Sequence, residues 1–187
     1  MNSLASDLQP LLSTIKLVIT DVDGVLTDGR LYYDANGECI KCFHVRDGMG
    51  MRLLEENGVK VAVVSGRDSA GLRRRIADLN ITTFKLGVKD KFAACRELMI
   101  QTGIPAEHTA CIGDDCIDLP AFKACSLSFA VADAPDYVKA AATGTLSLSG
   151  GAGAFREVAD AILFAQGKGA VITSAEGYST VMSKMSQ

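Results

Sequence analysis

The sequence predicts an α/β fold: a three-layer, Rossmann-like parallel sheet with helices on both faces and a β-hairpin insertion. Three observations carry this expectation. Short apolar, β-branched runs alternate with helical stretches from Ile15 onward, as in a sheet covered on both sides. Polar residues gather where each apolar run ends, which is where open parallel sheets collect their ligands. The 187 residues, 48% of them hydrophobic, suffice for one well-buried core.

The first strand is IKLVIT, residues 15–20. The run RLYYDANGECIKCFHV then reads as two alternating strands around an Asn36-Gly37 turn, a hairpin over residues 30–45. A helix over 47–57 opens on Asp47 as N-cap and closes at Gly58. Strands follow at 59–65, 82–86, 109–113, 127–132 and 144–148, separated by helices at 69–79, 90–101, 117–124 and 154–165. The expectation is one domain over 1–187 with its core at about 15–168. The tail, 169–187, mixes small and polar residues without periodicity and is expected to stay mobile until something binds it.

Composition narrows the partners. A formal charge of −3 and 19 dispersed basic residues offer no block to neutralise a nucleic-acid backbone or an anionic membrane. No stretch approaches a membrane span and the opening residues carry no basic region followed by an apolar run, so a soluble, cytoplasmic protein acting on a small molecule is expected. Of the six cysteines, Cys39 and Cys42 form a C-x-x-C, but their odd spacing in a strand puts them on opposite faces, against zinc. The others read as buried free thiols, and His44 and His108 as strand or loop residues.

The strand ends carry the chemistry. The first runs into Asp21-Val22-Asp23-Gly24-Val25, and the period of two points both carboxylates to one side. The second ends in Ser65-Gly66-Arg67, Lys91 follows the third, and the fourth ends in Gly113-Asp114-Asp115 with Asp118 one turn on. Taken singly these are ordinary: Asp23-Gly24 a turn, Ser65 a cap, Lys91 a solvated helix lysine. Together on one rim they form a cluster of carboxylates that cannot all ionise without a cation, and oxygen-only ligands favour magnesium.

The order D-x-D-G-V, S-G-R, Lys, G-D-D-x-x-D resembles the four motifs of the haloacid dehalogenase superfamily over residues 15–120. The resemblance implies that Asp21 is a phosphate-accepting nucleophile and Asp23 the general acid and base. Ser65 and Lys91 then stabilise the phosphoryl oxygens, and Asp21, the Asp23 carbonyl and Asp114 hold Mg2+, with Asp115 and Asp118 as outer orienters. Members with a cap insert it between the first and second motifs or the second and third. Here 41 residues separate Asp23 from Ser65, taken by the hairpin and a helix, and 25 separate Ser65 from Lys91.

Two further stretches, DVDGVLTDGRLYYDANGE-x4-F-x-VRDG-x-G and GGAGAFREV followed by AQGK, resemble the 3-deoxy-D-manno-octulosonate 8-phosphate phosphatases of lipopolysaccharide synthesis. Nonulosonate 9-phosphate phosphatases share much of the pattern, and the chain departs from it at Ala152, where a basic residue is expected. The substrate implied is a phosphorylated sugar acid, with Arg67, Gly66, Arg46 and Arg156 as candidate ligands for it; a guanidinium matches a carboxylate's two oxygens. The resemblance, the missing cap and apolar Leu31, Tyr33, Ile40 and Phe43 on the hairpin imply a homotetramer joined there. A phosphoaspartate receiver-like signalling domain is the rival from another class, but it would carry its acidic pair on the first strand and its accepting Asp later.

Overall fold

A computed structural model of the protein describes residues 5–185; residues 1–4 of the opening stretch and 186–187 of the tail lie outside the described residues. Six strands form one parallel sheet: β1 (Leu17–Thr20), β4 (Lys60–Ser65), β5 (Thr83–Leu86), β6 (Thr109–Gly113), β7 (Leu127–Ala130) and β8 (Gly144–Thr145). A separate antiparallel pair, β2 (Tyr32–Asp34) and β3 (Gly37–Ile40), makes the hairpin. The sheet order is β5-β4-β1-β6-β7-β8, so the chain leaves β1 toward one edge and returns to build the other. Such a reversal opens a crevice beyond the carboxyl ends of β1 and β6. Asp21 extends β1 into it, its N–H donating to the carbonyl of Ile112 at 3.1 Å.

Helices α1 (Ala5–Leu12), α2 (Val45–Glu56) and α7 (Ala154–Ala165) pack together on one face of the sheet. On the other lie α4 (Lys91–Thr102), α5 (Leu119–Ala124) and α6 (Asp136–Ala141), while α3 (Ala70–Asp78) links β4 to β5. The interior between them is aliphatic, with Val18, Val61, Leu98, Leu127 and Ile162 inaccessible to solvent. Neither insertion point carries a cap domain, as expected.

Several local expectations are corrected. Asp47 does not cap α2: His44 does, its Nδ1 accepting from the N–H of Arg46. Asp47 is buried inside the first turn, where it accepts from the N–H of Arg156 at 2.9 Å and ties α2 to α7. That contact needs Gly50, because a Cβ there would sit 3.2 Å from Ala159 and Arg156 of α7. The hairpin strands are shorter than residues 30–45, with a bulge at Tyr32/Tyr33 and the turn at Ala35-Asn36, one residue early. Cys42 lies past the end of β3, so the alternation argument does not reach it; both Cys39 and Cys42 are exposed and free. The stretch after Gly169 is helical, as α8 (Ala170–Thr173) and α9 (Ala175–Met185). Ser174 caps α9 by accepting from Gly177 N–H, and α9 leans on α2, a contact that local periodicity does not register.

The loop after β8 is fitted to the loop after β1. Gly151 N–H donates to the carbonyl of Val25 at 3.0 Å, and a Cβ on Gly150 would fall 1.9 Å from the carbonyl oxygen of Gly24. Glu157 of α7 holds the segment from behind by accepting from the N–H groups of Ser147 and Leu148. We expect Gly150→Ala to push the loops apart and cost about 1–3 kcal/mol in urea unfolding. A stability within about 0.5 kcal/mol of wild type would refute that fit.

Candidate active site

Asp21, Asp114 and Asp118 converge at the crevice, each offering a carboxylate oxygen within 4.8 Å of the others. Asp21 and Asp118 are buried and Asp114 is half-buried. Lys91, the first residue of α4, is buried between two of them, its Nζ 2.9 Å from Asp21 Oδ2 and 2.5 Å from Asp118 Oδ1. The other oxygen of Asp118 accepts from the N–H groups of Asp114 and Asp115 at 2.9 and 3.3 Å. Asp118 therefore belongs to the cluster itself, with both its oxygens already committed to Lys91 and the backbone. Asp115 is more peripheral: it accepts from the Cys116 N–H and the Tyr137 hydroxyl and shares a capping box with Asp118.

One ammonium faces three carboxylates. Burial, then the charge of Asp118, pushes the Asp21 carboxyl up to about 7. Burial, then Asp21 and Asp118, pushes Asp114 up to about 8. Burial alone would lower Lys91, but Asp21 and Asp118 outweigh it and hold the ammonium charged. Asp114 Oδ1 is buried without a hydrogen-bond partner. An orphaned carboxylate oxygen among acids that resist ionisation is what a hard, oxygen-preferring cation satisfies, so the donor set fits magnesium. Gly24, at φ +88°, leaves the room: a Cβ there would lie 2.0 Å from Asp114 Oδ2.

Asp23 parts from Asp21. Its carboxylate accepts from Nζ of Lys41, just beyond the hairpin, and Lys41 also pairs with Glu38 Oε1 at 2.7 Å. Ser65, buried at the end of β4, accepts from the N–H of Arg67 at 3.1 Å and is four residues short of the Ser69 cap of α3, so it is not at a helix entrance. Gly66 is exposed beside it. Arg67 donates to the Tyr33 hydroxyl and to Glu38 Oε2, 3.3 Å away, and lies over the Tyr33 ring. Arg156 donates to Asp160 on its own helix, and Arg46 is exposed. Strand-end polarity does not point to Lys41 and Glu38, since neither lies at the end of a sheet strand; the signal for them in the sequence is charge at the polar positions of an alternating hairpin.

A cleft of about 710 Å3 lies at the opposite end of the strands, by the amino ends of β1, β4 and β6, lined by Lys16, His108 and Lys168 among others. It is not the site: Lys168 is spent on the Asn57 carbonyl at the end of α2 and on Gln166.

Residues 86–149 match the family of haloacid dehalogenase-like hydrolases. The chain is 60% identical over 180 residues to the 3-deoxy-D-manno-octulosonate 8-phosphate phosphatase KdsC of Haemophilus influenzae, covering 96% of this chain and 100% of the relative. The cobalt-bound structure of the phosphatase from the same organism superposes with a TM-score of 0.89 at 62% identity, over 90% of this chain and 98% of that one. The Moraxella catarrhalis phosphatase, solved with magnesium, phosphate and 3-deoxy-D-manno-octulosonate, gives 0.85 at 35% identity over 89% and 96%.

Folded, Asp21 and Asp114 hold protons that the unfolded chain has released above about pH 4, so their contribution to metal-free stability falls as pH rises toward about 8. A cation competes with those protons. The rise in melting temperature on adding magnesium should therefore be larger at pH 8 than at pH 6, with affinity up by about tenfold or more. An increment independent of pH would contradict the cluster.

Proposed function

The chain belongs to the family of 3-deoxy-D-manno-octulosonate 8-phosphate phosphatases, haloacid dehalogenase-like hydrolases, and from that premise we propose that it releases phosphate from 3-deoxy-D-manno-octulosonate 8-phosphate in lipopolysaccharide biosynthesis. The observation that carries the reading is the closure of the strand-end residues on Asp21, in a chain matching such a phosphatase along that relative's whole length. The receiver-like alternative falls with family membership.

In the proposed reaction a carboxylate oxygen of Asp21 attacks phosphorus and the bond to the sugar oxygen breaks, leaving an aspartyl phosphate. Asp23 gives its proton to the departing oxygen, then takes one from the water that attacks the aspartyl phosphate and frees inorganic phosphate. Lys91 and Ser65 donate to the phosphoryl oxygens; the burial of both and the contact of Lys91 with Asp21 support this. Asp21, the Asp23 carbonyl and Asp114 would hold magnesium, and Asp118 and Asp115 would orient that set. The bound cation offsets the repulsion between the anionic nucleophile and the anionic phosphate.

Among the candidate ligands for the substrate carboxylate, Arg67 with Gly66 is favoured over Arg46 and Arg156 by its place on the rim beside Ser65. Leu31, Tyr33 and Ile40 stand exposed on the hairpin, which supports a homotetramer joined through it; Phe43 packs on its own subunit's core and under Arg75. Six free cysteines accord with a reducing cytoplasm.

Asp21→Asn should lower turnover by ~10³-fold or more, and Asp23→Asn by ~10²-fold or more, both with the fold retained; substantial Asp21→Asn activity would sink the covalent route. Replacing residues 30–45 by a short glycine linker should convert tetramer to smaller species in sedimentation. A wild-type monomer at micromolar concentration would refute the assembly.

A further inference from the structure

The two acids of the D-x-D motif need different settings, and the sequence period offers no way to separate them. Separation comes from Lys41. Its side chain is 3% exposed, between Asp23 and Glu38 at 21% and 10%, and its ammonium binds Oδ1 of Asp23 and Oε1 of Glu38. Its stem rests on α3, with Cβ 3.5 Å from where a side chain on Gly71 would begin. Glu38 is anchored in turn by Arg67, and Arg67 by Tyr33. The general acid is thus linked through four side chains to the hairpin of its own subunit.

We propose that Lys41 is a positioning residue for Asp23: it holds Oδ1 on the hairpin side, leaves Oδ2 to exchange the proton, and keeps this carboxylate from joining Asp21 and Asp114 around the cation. The inference rests on the reading of Asp23 as general acid and base. An aspartate two positions along an extended chain has two free side-chain torsions and, beside a divalent cation, a strong alternative partner. A nearly buried ammonium with a second carboxylate behind it removes that freedom. It also gives the hairpin a part in catalysis within one subunit, separate from assembly.

The test is the leaving-group dependence of kcat/KM, which reports the steps up to aspartyl-phosphate formation. Phenyl, p-nitrophenyl and dinitrophenyl phosphates and one alkyl phosphate are compared in wild type, Lys41→Met, Lys41→Arg and Asp23→Asn, with melting and its magnesium shift recorded for each. A dinitrophenolate leaves without a proton; an alkoxide does not. Lys41→Met is expected to lose about 10²-fold on the alkyl ester and under about 5-fold on the dinitrophenyl ester, with Lys41→Arg recovering most of the loss. An equal loss across the series, or no loss, overturns the proposal. The Asp23→Asn control separates the two ideas: if it shows no leaving-group dependence, the general-acid reading fails, and if it shows one that Lys41→Met lacks, only the inference about Lys41 fails. Should Lys41→Met not fold, Lys41→Gln, which keeps a donor for Glu38, carries the same comparison.

Discussion

Two like charges about 4 Å apart repel by ~4 kcal/mol at the effective dielectric of a protein site, and Asp21, Asp114 and Asp118 bring three carboxylates within 4.8 Å around a single lysine. Such a set is relieved by protonation or by a cation, and its oxygen-only donors suit magnesium. Much of the surrounding architecture holds that arrangement. The sheet reversal at β1 and β6 supplies the crevice, α4 delivers Lys91 at its first residue, and Asp118 spends both oxygens fixing the lysine and the backbone after β6.

Glycine makes the approach physically possible. Gly24 leaves space for the Asp114 carboxylate, and Gly113 leaves space for Asp118, whose Cβ lies 2.4 Å from where a Cβ on Gly113 would be. Gly150 and Gly151 let the loop after β8 lie directly on the loop after β1. The approaches at Gly150 and Gly151 are between two backbones, so no rotamer change relieves a substitution there, and at Gly24 the φ of +88° strains any side chain besides its overlap with Asp114. Gly48 and Gly50 do the same for α2, against Arg75 and α7, which explains the spacing of the V-R-D-G-x-G motif.

The hairpin replaces a cap with two kinds of surface. Its apolar residues Leu31 and Ile40 are exposed, while Tyr33, Glu38 and, just past β3, Lys41 reach back to Arg67 and Asp23. An open site without a covering domain would leave Asp23 in bulk water. The polar chain Asp23–Lys41–Glu38–Arg67–Tyr33 gives it a fixed and partly shielded setting instead.

The alternation of apolar runs and helices, the position of β6 and α7, and Asp21, Ser65, Lys91 and Asp114 at the strand ends were legible in the sequence, because strand period and the polarity at strand ends are local properties. Only tertiary structure decided what those residues meet. Lys41 finds Asp23 from 18 positions away and Lys91 finds Asp118 from 27. Asp47 left its expected cap because Arg156, 109 residues later, offered a buried N–H. The helices of the tail and the inward turn of Phe43 likewise depend on α2, Arg75 and the core. Burial and charge pairing between distant segments outweigh local propensity, and a sequence read a few residues at a time contains the partners without their distances.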